Sequence, residues 1–538
     1  MFRRLTRARA ALIGMATATV AVAITGVIAQ PGGAAVVPSS GQVVPSSGQW
    51  PTAGQNISDT HFQADEHVIS PANVSRLTPR WTLTAAGAIS ATPTVDGGVV
   101  YVPDYGGRLW AVEAGGGRVL WSKPISDYTG VSGDQSRVSP AVYGSDIILG
   151  DGWIVSSNLT GAKVFAVNRR TGALDWVTQV DTDPQAVITA APTIYRGVAY
   201  FGISSKGEGS LNPTFRGAVV ALNATTGKLL WKAYTVPSNN GNSDSNLPDG
   251  YYTGNAVWGS SPAVDPARGL LYVGTGNNYT APAGVCEDPG QTNCTQPVAD
   301  DYVDSILALR LSDGSVAWAD HTNNGDIWTR PQPIGPDYDF GAGPNLFTVP
   351  GTREQLLGIG QKSGVYWAVN PSTGKVVWQT DVGPTADPGH GIEYGTATDG
   401  QRIYVDEGDT THAPYTIGGS GPYAGQTDTA GSFSALDPAT GKILWQTPDP
   451  NGSPDTGPVS VANGVVYAGS DSYTGTSMYA LDAATGAILW SFNSGGSVTG
   501  GAAIVAGSVY WGSGYCGTEC FTTGNPLNND KLYAFGLH

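Results

Sequence analysis

One unit, repeated along the chain, restricts what this sequence can fold into. It reads LWAVEAGGGRVLW (109–121), VFAVNRRTGALDW (164–176), VVALNATTGKLLW (219–231), ILALRLSDGSVAW (306–318), YWAVNPSTGKVVW (366–378), FSALDPATGKILW (433–445) and MYALDAATGAILW (478–490). Each copy alternates apolar residues, turns, and ends an apolar run on Trp. Alternation marks a strand with one face inward. In the turn, Asn or Asp accepts backbone N–H groups, and Gly takes the left-handed conformation that reverses the chain. Further strand signals lie between the copies, such as ATPTVDGGVVYVPD (91–104), APTIYRGVAYFG (191–202) and GPVSVANGVVYAGS (457–470). Self-similarity with four strands per repeat predicts the blades of a β-propeller.

The two ends set the blade count. LYAFGLH (532–538) stops where a turn and Trp are due, and RLTPRWTL (76–83) supplies the missing strand at the front. The N-terminal strand is therefore expected to complete the last blade, which closes the ring and removes an exposed sheet edge. Trp81, Trp121, Trp176, Trp231, Trp318, Trp378, Trp445 and Trp490 then count eight blades and act as wedges between them. The expected fold class is all-β, a single eight-bladed propeller over 54–538. Most gaps between these tryptophans run from 40 to 67 residues, but Trp231 to Trp318 spans 87. Excess loop of that kind usually lies over one face and carries function.

Composition agrees. Among 538 residues, 75 Gly and 36 Pro with only 13% charged residues suit short strands and tight turns. The net charge of −16 repels phosphate backbones and anionic lipid, which argues against a nucleic-acid partner. MFRRLTRAR, the apolar run Ala10 to Ala29 and the small residues Gly33–Ala35 read as an export signal over 1–35, for a secreted or cell-envelope protein. A retained anchor is the alternative, because the run is near the length of a span. No later segment is long and apolar enough to cross a membrane. VVPSSGQ in tandem (36–42, 43–49) reads as a linker over 36–53. The four cysteines form two local pairs, Cys286 with Cys294 and Cys516 with Cys520, expected to be disulfides that staple loops. No CxxCH occurs, so a covalent c-type haem is not expected.

The xALDxxTGKxxW unit resembles the tryptophan-docking repeat of pyrroloquinoline quinone (PQQ) propellers. Over about residues 54–538 the chain resembles, more closely, the polyvinyl-alcohol-dehydrogenase-like branch of quinoprotein alcohol dehydrogenases. The stretches that carry this resemblance are ISDTHFQADEHVISPANVSRL (57–77), SSPAVDPARGLLYVGTGNNY (260–279), DFGAGPNLFTV (339–349), GIGQKSGVYWAVNPSTGKVVW (358–378) and GIEYGTATDG (391–400). The resemblance implies a site with PQQ and Ca²⁺ as cofactors. It places Trp258 (AVWG) beneath the quinone ring, Asn277 (GTGN) and Glu208 (SKGEGS) on the metal, and Asp326 (GDIW) as catalytic aspartate and metal ligand. It places Lys362 (QKSG) beside the quinone oxygens, and Arg137 and Thr189 on the cofactor carboxylates. Ser90 stands where the family often keeps a glutamate.

These residue types suit that chemistry in their own right. Carboxylate and amide oxygens hold a hard cation, which polarises a quinone carbonyl. An ionised carboxylate takes an alcohol proton. An indole offers a platform for a flat cofactor, and Arg137 and Lys362 offer charges to its acid groups. The expected function is oxidation of a small or polymeric alcohol, with electrons passed to a separate acceptor. The rival reading is a non-catalytic propeller that serves as a binding or assembly scaffold.

Overall fold

The structure, a computed structural model, describes residues 48–152, 160–237, 251–259, 261–282, 285, 298–384, 391–516 and 527–538. The expected signal, most of the linker, Cys286, Cys294 and Cys520 lie outside the described residues. Cys516 is disulfide-bonded.

Eight four-stranded antiparallel blades follow one another: blade 1 (94–124), blade 2 (141–179), blade 3 (193–234), blade 4 (263–321), blade 5 (345–381), blade 6 (397–448), blade 7 (460–492) and blade 8. Blade 8 joins Ala503–Val505, Ser508–Gly512 and Lys531–Leu537 to the N-terminal strand Leu77–Thr84, which pairs antiparallel with Lys531–Leu537. The ring closes as the sequence predicts. No helix among the described residues is long and apolar enough to cross a membrane.

The repeat owes its pattern to one contact. In every blade its Ala lies across from its Trp, from Ala111↔Trp121 in blade 1 to Ala534↔Trp81 in blade 8. The small residue leaves the indole room to lean toward the next blade. Seven indole N–H groups then donate to a carbonyl of that blade's turn: Trp81 to Ala114, Trp121 to Arg169, Trp176 to Ala224, Trp231 to Leu311, Trp318 to Pro371, Trp378 to Pro438 and Trp445 to Ala483; the eighth, Trp490, donates to Leu77 at the start of the N-terminal strand. In seven of these junctions the turn glycine lies against the indole, as Gly227 does against Trp176, with φ near +70°. A Cβ there would overlap the ring. Glycine thus serves both the left-handed turn and the close approach.

A second feature departs from expectation. Trp50 and Ala53, assigned to the linker over 36–53, are buried, Trp50 completely. The segment 50–63 runs round the inner edges of the blades and bonds to each in turn. Trp50 exchanges backbone bonds with Val95, and Pro51 O accepts from Val142 N. Thr52 Oγ1 donates to Pro192 O, at the start of blade 3. Ile57, Ser58, Thr60 and His61 carbonyls accept from Val264, Leu346, Thr398 and Val461. Gln63 Nε2 donates to Ile504 O in blade 8. Inner strands present unpaired backbone groups to the axis, and this strap satisfies some of them in every blade. The linker therefore ends before Trp50. Its last residues are core because a lone tryptophan beside polar repeats can still reach an apolar interior.

Gly227→Ala should lower the thermal midpoint clearly more than Gly144→Ala. Both glycines have positive φ, 70° and 58°, but no atom lies near a Cβ on Gly144. The control thus carries only the left-handed strain of about 1–2 kcal/mol, while Gly227→Ala also displaces Trp176. Equal losses in thermal denaturation would mean that the indole contact contributes nothing.

Candidate active site

Antiparallel order puts the loops after each second strand, and the links from one blade to the next, at one end of the ring. The docking turns lie at the other. Every predicted site residue is on the first end. Glu208, Asn277 and Lys362 follow the strands Val198–Ser205, Leu270–Gly274 and Gln355–Gly360; Arg137, Thr189, Trp258 and Asp326 lie on links between blades.

The centre of the site is a buried charge cluster. Glu208, Asp337 and Asp339 each offer a carboxylate oxygen within 4.8 Å of the others. Lys362 Nζ donates to Asp337 Oδ1 (2.9 Å) and Oδ2 (3.1 Å) and to Asp339 Oδ2 (3.0 Å). Asp339 Oδ1 accepts the backbone N–H of Asn277 at 2.6 Å. Asn277 Nδ2 donates to Trp328 O, and its Oδ1, fully buried, has no hydrogen-bond partner. Burial works against the Lys362 ammonium, but Asp337, Asp339, Glu208 and Glu393 outweigh it and hold its pKa well above the usual value. Burial first, and then the surplus of carboxylates over one lysine, pushes the Asp337 carboxyl well up. Asp304, also buried, is raised by burial and by Asp326, Asp339 and Asp337.

Asp326 sits among these acids but is engaged differently. Its Oδ1 accepts from Trp328 N and its Oδ2 from Tyr338 N, each at 2.9 Å. Both oxygens hold the loop that carries Asp337 and Asp339, and the described metal-capable group does not include it. The carboxylates that the sequence reading missed are Asp337 and Asp339. Their signal was present, because Asp339 heads DFGAGPNLFTV and Asp337 precedes it by two residues.

A cavity adjoins the cluster. Arg137, Thr189, Trp258, Ser90, Gly341, Tyr394 and His61 are among its walls, and its free space is small, about 50 Å³. The Arg137 guanidinium lies over the rings of Tyr394 and Tyr515, 5.3 and 5.4 Å from their centroids. The Thr189 hydroxyl pairs with Ser204 Oγ at 2.7 Å and reaches Trp258 O at 3.4 Å, so it steadies the tryptophan's loop. The buried Trp258 Nε1 has no hydrogen-bond partner. Gly276 bridges cavity and cluster: a Cβ there would strike both Asp339 Oδ1 and Trp258 Nε1. Ser90 Oγ is 3.0 Å from the Tyr105 hydroxyl.

Residues 50–394 match the family model described as glucose/ethanol/alcohol dehydrogenase, β-propeller domain. The chain belongs to this PQQ β-propeller family. Residues 429–518 match a model described as outer membrane protein assembly factor BamB, a segment that contains none of the carboxylates of the charge cluster. The chain is 30% identical to a polyvinylalcohol dehydrogenase of Sphingopyxis sp. (strain 113P3), over 87% of this chain and 73% of that protein. It is 30% identical to a polyvinylalcohol dehydrogenase of Pseudomonas sp., over 66% of this chain but only 54% of the relative's length. Quinohemoprotein alcohol dehydrogenase ADH IIB of Pseudomonas putida is 28% identical, over 78% of this chain and 67% of that protein. Among solved structures, quinohemoprotein alcohol dehydrogenase ADHIIG from Pseudomonas putida HK5 superposes with a TM-score of 0.69, at 20% identity, over 91% of this chain and 80% of that one. A europium-containing methanol dehydrogenase gives 0.68, at 18% identity, over 91% and 98%. These structures share the propeller.

Outside the site, Asp406, Glu407 and Asp455 are buried, and burial first, then neighbouring carboxylates, raises all three well above the usual range. A carboxyl raised in the folded state binds its proton more tightly there than in the unfolded chain. The stability it contributes is full below the unfolded pKa of about 4 and is lost as pH rises through the folded value. The thermal midpoint of the metal-free protein should therefore fall as pH rises above about 4, and Asp455→Asn should flatten that slope. A slope unchanged in Asp455→Asn would contradict this.

Proposed function

We propose that this protein is a PQQ- and Ca²⁺-dependent dehydrogenase that oxidises a secondary or polymeric alcohol to a carbonyl and passes electrons to an external acceptor. The observation that carries this reading is the charge cluster beside Trp258. Three buried carboxylates face one lysine, and the amide oxygen of Asn277 has no hydrogen-bond partner. A hard divalent cation would answer both: Glu208, Asp339 and Asn277 would hold it through oxygens, and its charge would offset the excess negative charge. The cavity's chemistry suits a flat tricarboxylate: Trp258 would be its platform and Arg137 would meet an acid group, with Lys362 in the adjoining cluster toward its quinone oxygens. Its free space is smaller than three fused rings, so loading moves side chains at the rim.

Bound there, the quinone supplies the hydride acceptor and the cation a Lewis acid. The chain supplies the rest. Asp339, nearest to Trp258 through Gly276, takes the alcohol proton. Lys362, by donating to Asp339 Oδ2 and to both Asp337 oxygens, fixes the acceptor's orientation. Asp326 holds the loop through its two backbone bonds. The relatives named polyvinylalcohol dehydrogenase support a polymeric or secondary alcohol as substrate. The N-terminal pattern supports a secreted or cell-envelope location.

The deciding experiment is dye-linked alcohol oxidation by purified protein, with and without PQQ and Ca²⁺, over primary, secondary and polymeric alcohols. Asp339→Asn should lower turnover about 10²–10⁴-fold at near-normal PQQ affinity. Asp326→Asn turns an amide N–H toward a backbone N–H, so it should lower the thermal midpoint, and turnover only as far as the loop is disturbed. If Asp326→Asn abolishes turnover with unchanged stability, Asp326 is the base instead. Asn277→Ala should weaken Ca²⁺ binding, with activity partly restored by excess metal. No oxidation by wild type beyond that of Asp339→Asn would leave the scaffold reading in its place.

A further inference from the structure

The axial strap does more than fasten the blades. At its far end it carries His61 into the wall of the central cavity, opposite no charged group of its own element except Asp59. His61 is fully buried, and neither ring nitrogen has a hydrogen-bond partner. Its Nε2 lies 3.4 Å from Asp59 Oδ1, close enough for charge attraction but outside hydrogen-bond geometry. Asp59 is held by the Ser261 hydroxyl, which donates to Oδ1 at 2.6 Å, and its Oδ2 is buried with no partner. Both residues adopt positive φ, 50° for His61 and 55° for Asp59, a conformation that costs non-glycine residues energy. The backbone enforces it: His61 N donates to Gly54 O at 3.0 Å, and His61 O accepts from Val461 N at 2.9 Å.

A buried imidazole with both nitrogens unmatched is costly unless something else in the cavity pairs with it. The other polar walls indicate what that is. Arg137 is a permanent cation, and Ser90, Thr92, Ser139, Thr189 and Thr499 bring hydroxyls. The Asp59 carboxylate lies 3.4 Å from the imidazole Nε2. Donors and positive charge that converge on one space suit an anionic oxygen.

We propose that His61, positioned by Asp59, is a binding residue for a carboxylate of the ligand that fills the central cavity. The cofactor site is then incomplete without the N-terminal strap. This inference rests on the dehydrogenase reading for the ligand's identity, but not for its acid group.

The test uses the purified protein with Ca²⁺ and two probes, PQQ and benzene-1,3,5-tricarboxylate, a flat triacid without a quinone. Binding is measured by equilibrium dialysis, and the thermal midpoint of each ligand-free variant is recorded. His61→Leu should weaken both probes at least about tenfold, the worth of one charge-assisted hydrogen bond. His61→Gln, which keeps a donor, should lose less. Asp59→Asn should fall between wild type and His61→Leu. The ligand-free midpoints of His61→Leu and His61→Gln should fall alike, because both variants lose the attraction to Asp59. Affinities within twofold of wild type in His61→Leu overturn the proposal. So does a ligand-free midpoint of His61→Leu well below that of His61→Gln at equal affinity loss, which marks a packing role. If wild type binds the triacid but not PQQ, and His61→Leu loses the triacid, His61 stands and the PQQ reading falls. If wild type binds neither, both fall.

Discussion

The indole of one blade seated on the turn of the next is the contact from which the rest of this structure follows. A four-stranded blade has two outer faces and a free edge, and it cannot bury enough surface alone. The docking Trp supplies a large apolar plate and one directional N–H bond at each junction. The Ala opposite lets the plate lean, and the turn Gly lets it approach. The three residues form a single device, which is why they recur together at fixed spacing. The junction from blade 7 to blade 8 shows that the device tolerates a change of partner. Trp490 finds Leu77 O, at the start of the returning N-terminal strand, where the other junctions offer a turn. Aromatic packing substitutes for glycine there: Phe492 and Phe535 each lie against Trp490, Tyr533 and one another, with ring centroids 5.0–6.0 Å apart.

The fold was readable because its signal repeats. Strand alternation, the Asx–Gly turn and the closing Trp are local patterns, and repetition makes them hard to mistake. The broken copy at the C-terminus and its missing half at the front revealed ring closure without any contact information. The strap was not readable for the opposite reason. Ile57 and His61 bond to blades hundreds of residues away, Trp50 to Val95 across 45 residues, and each contact is one or two backbone bonds with no sequence pattern. The tandem VVPSSGQ also made the neighbouring residues look solvated.

The site was legible in part. Glu208, Asn277 and Lys362 follow the second strands of three consecutive blades, so the repeat itself places them at one end and near one another. The carboxylate between them was harder. GDIW and PDYDF are eleven residues apart on one link between blades, and both offer an aspartate within two residues of an aromatic. What separates them is the direction of backbone N–H groups. Two of these point at Asp326, while a lysine and the Asn277 amide meet Asp337 and Asp339. Sequence carries the residue types but not that direction. His61 escaped notice because its role depends on a left-handed backbone, which histidine rarely adopts.

Charge balance links the strap, the cluster and the cavity. The described cluster holds Glu208, Asp337 and Asp339 against Lys362, with Asp304 and Asp326 close enough to raise one another's cost of ionisation. A protein with a net charge of −16 gains nothing from further buried negative charge unless the charge is used. Across Gly276 and Gly341 the sign reverses: Arg137 and His61 face the cavity with donors, and Asp59 stands behind the imidazole. A ligand that presents acid groups to that side and a metal-bound oxygen to the other would meet complementary charge at both ends. Such a ligand has one orientation of low energy in this space, so the polarity of the site selects the ligand's direction as well as its class.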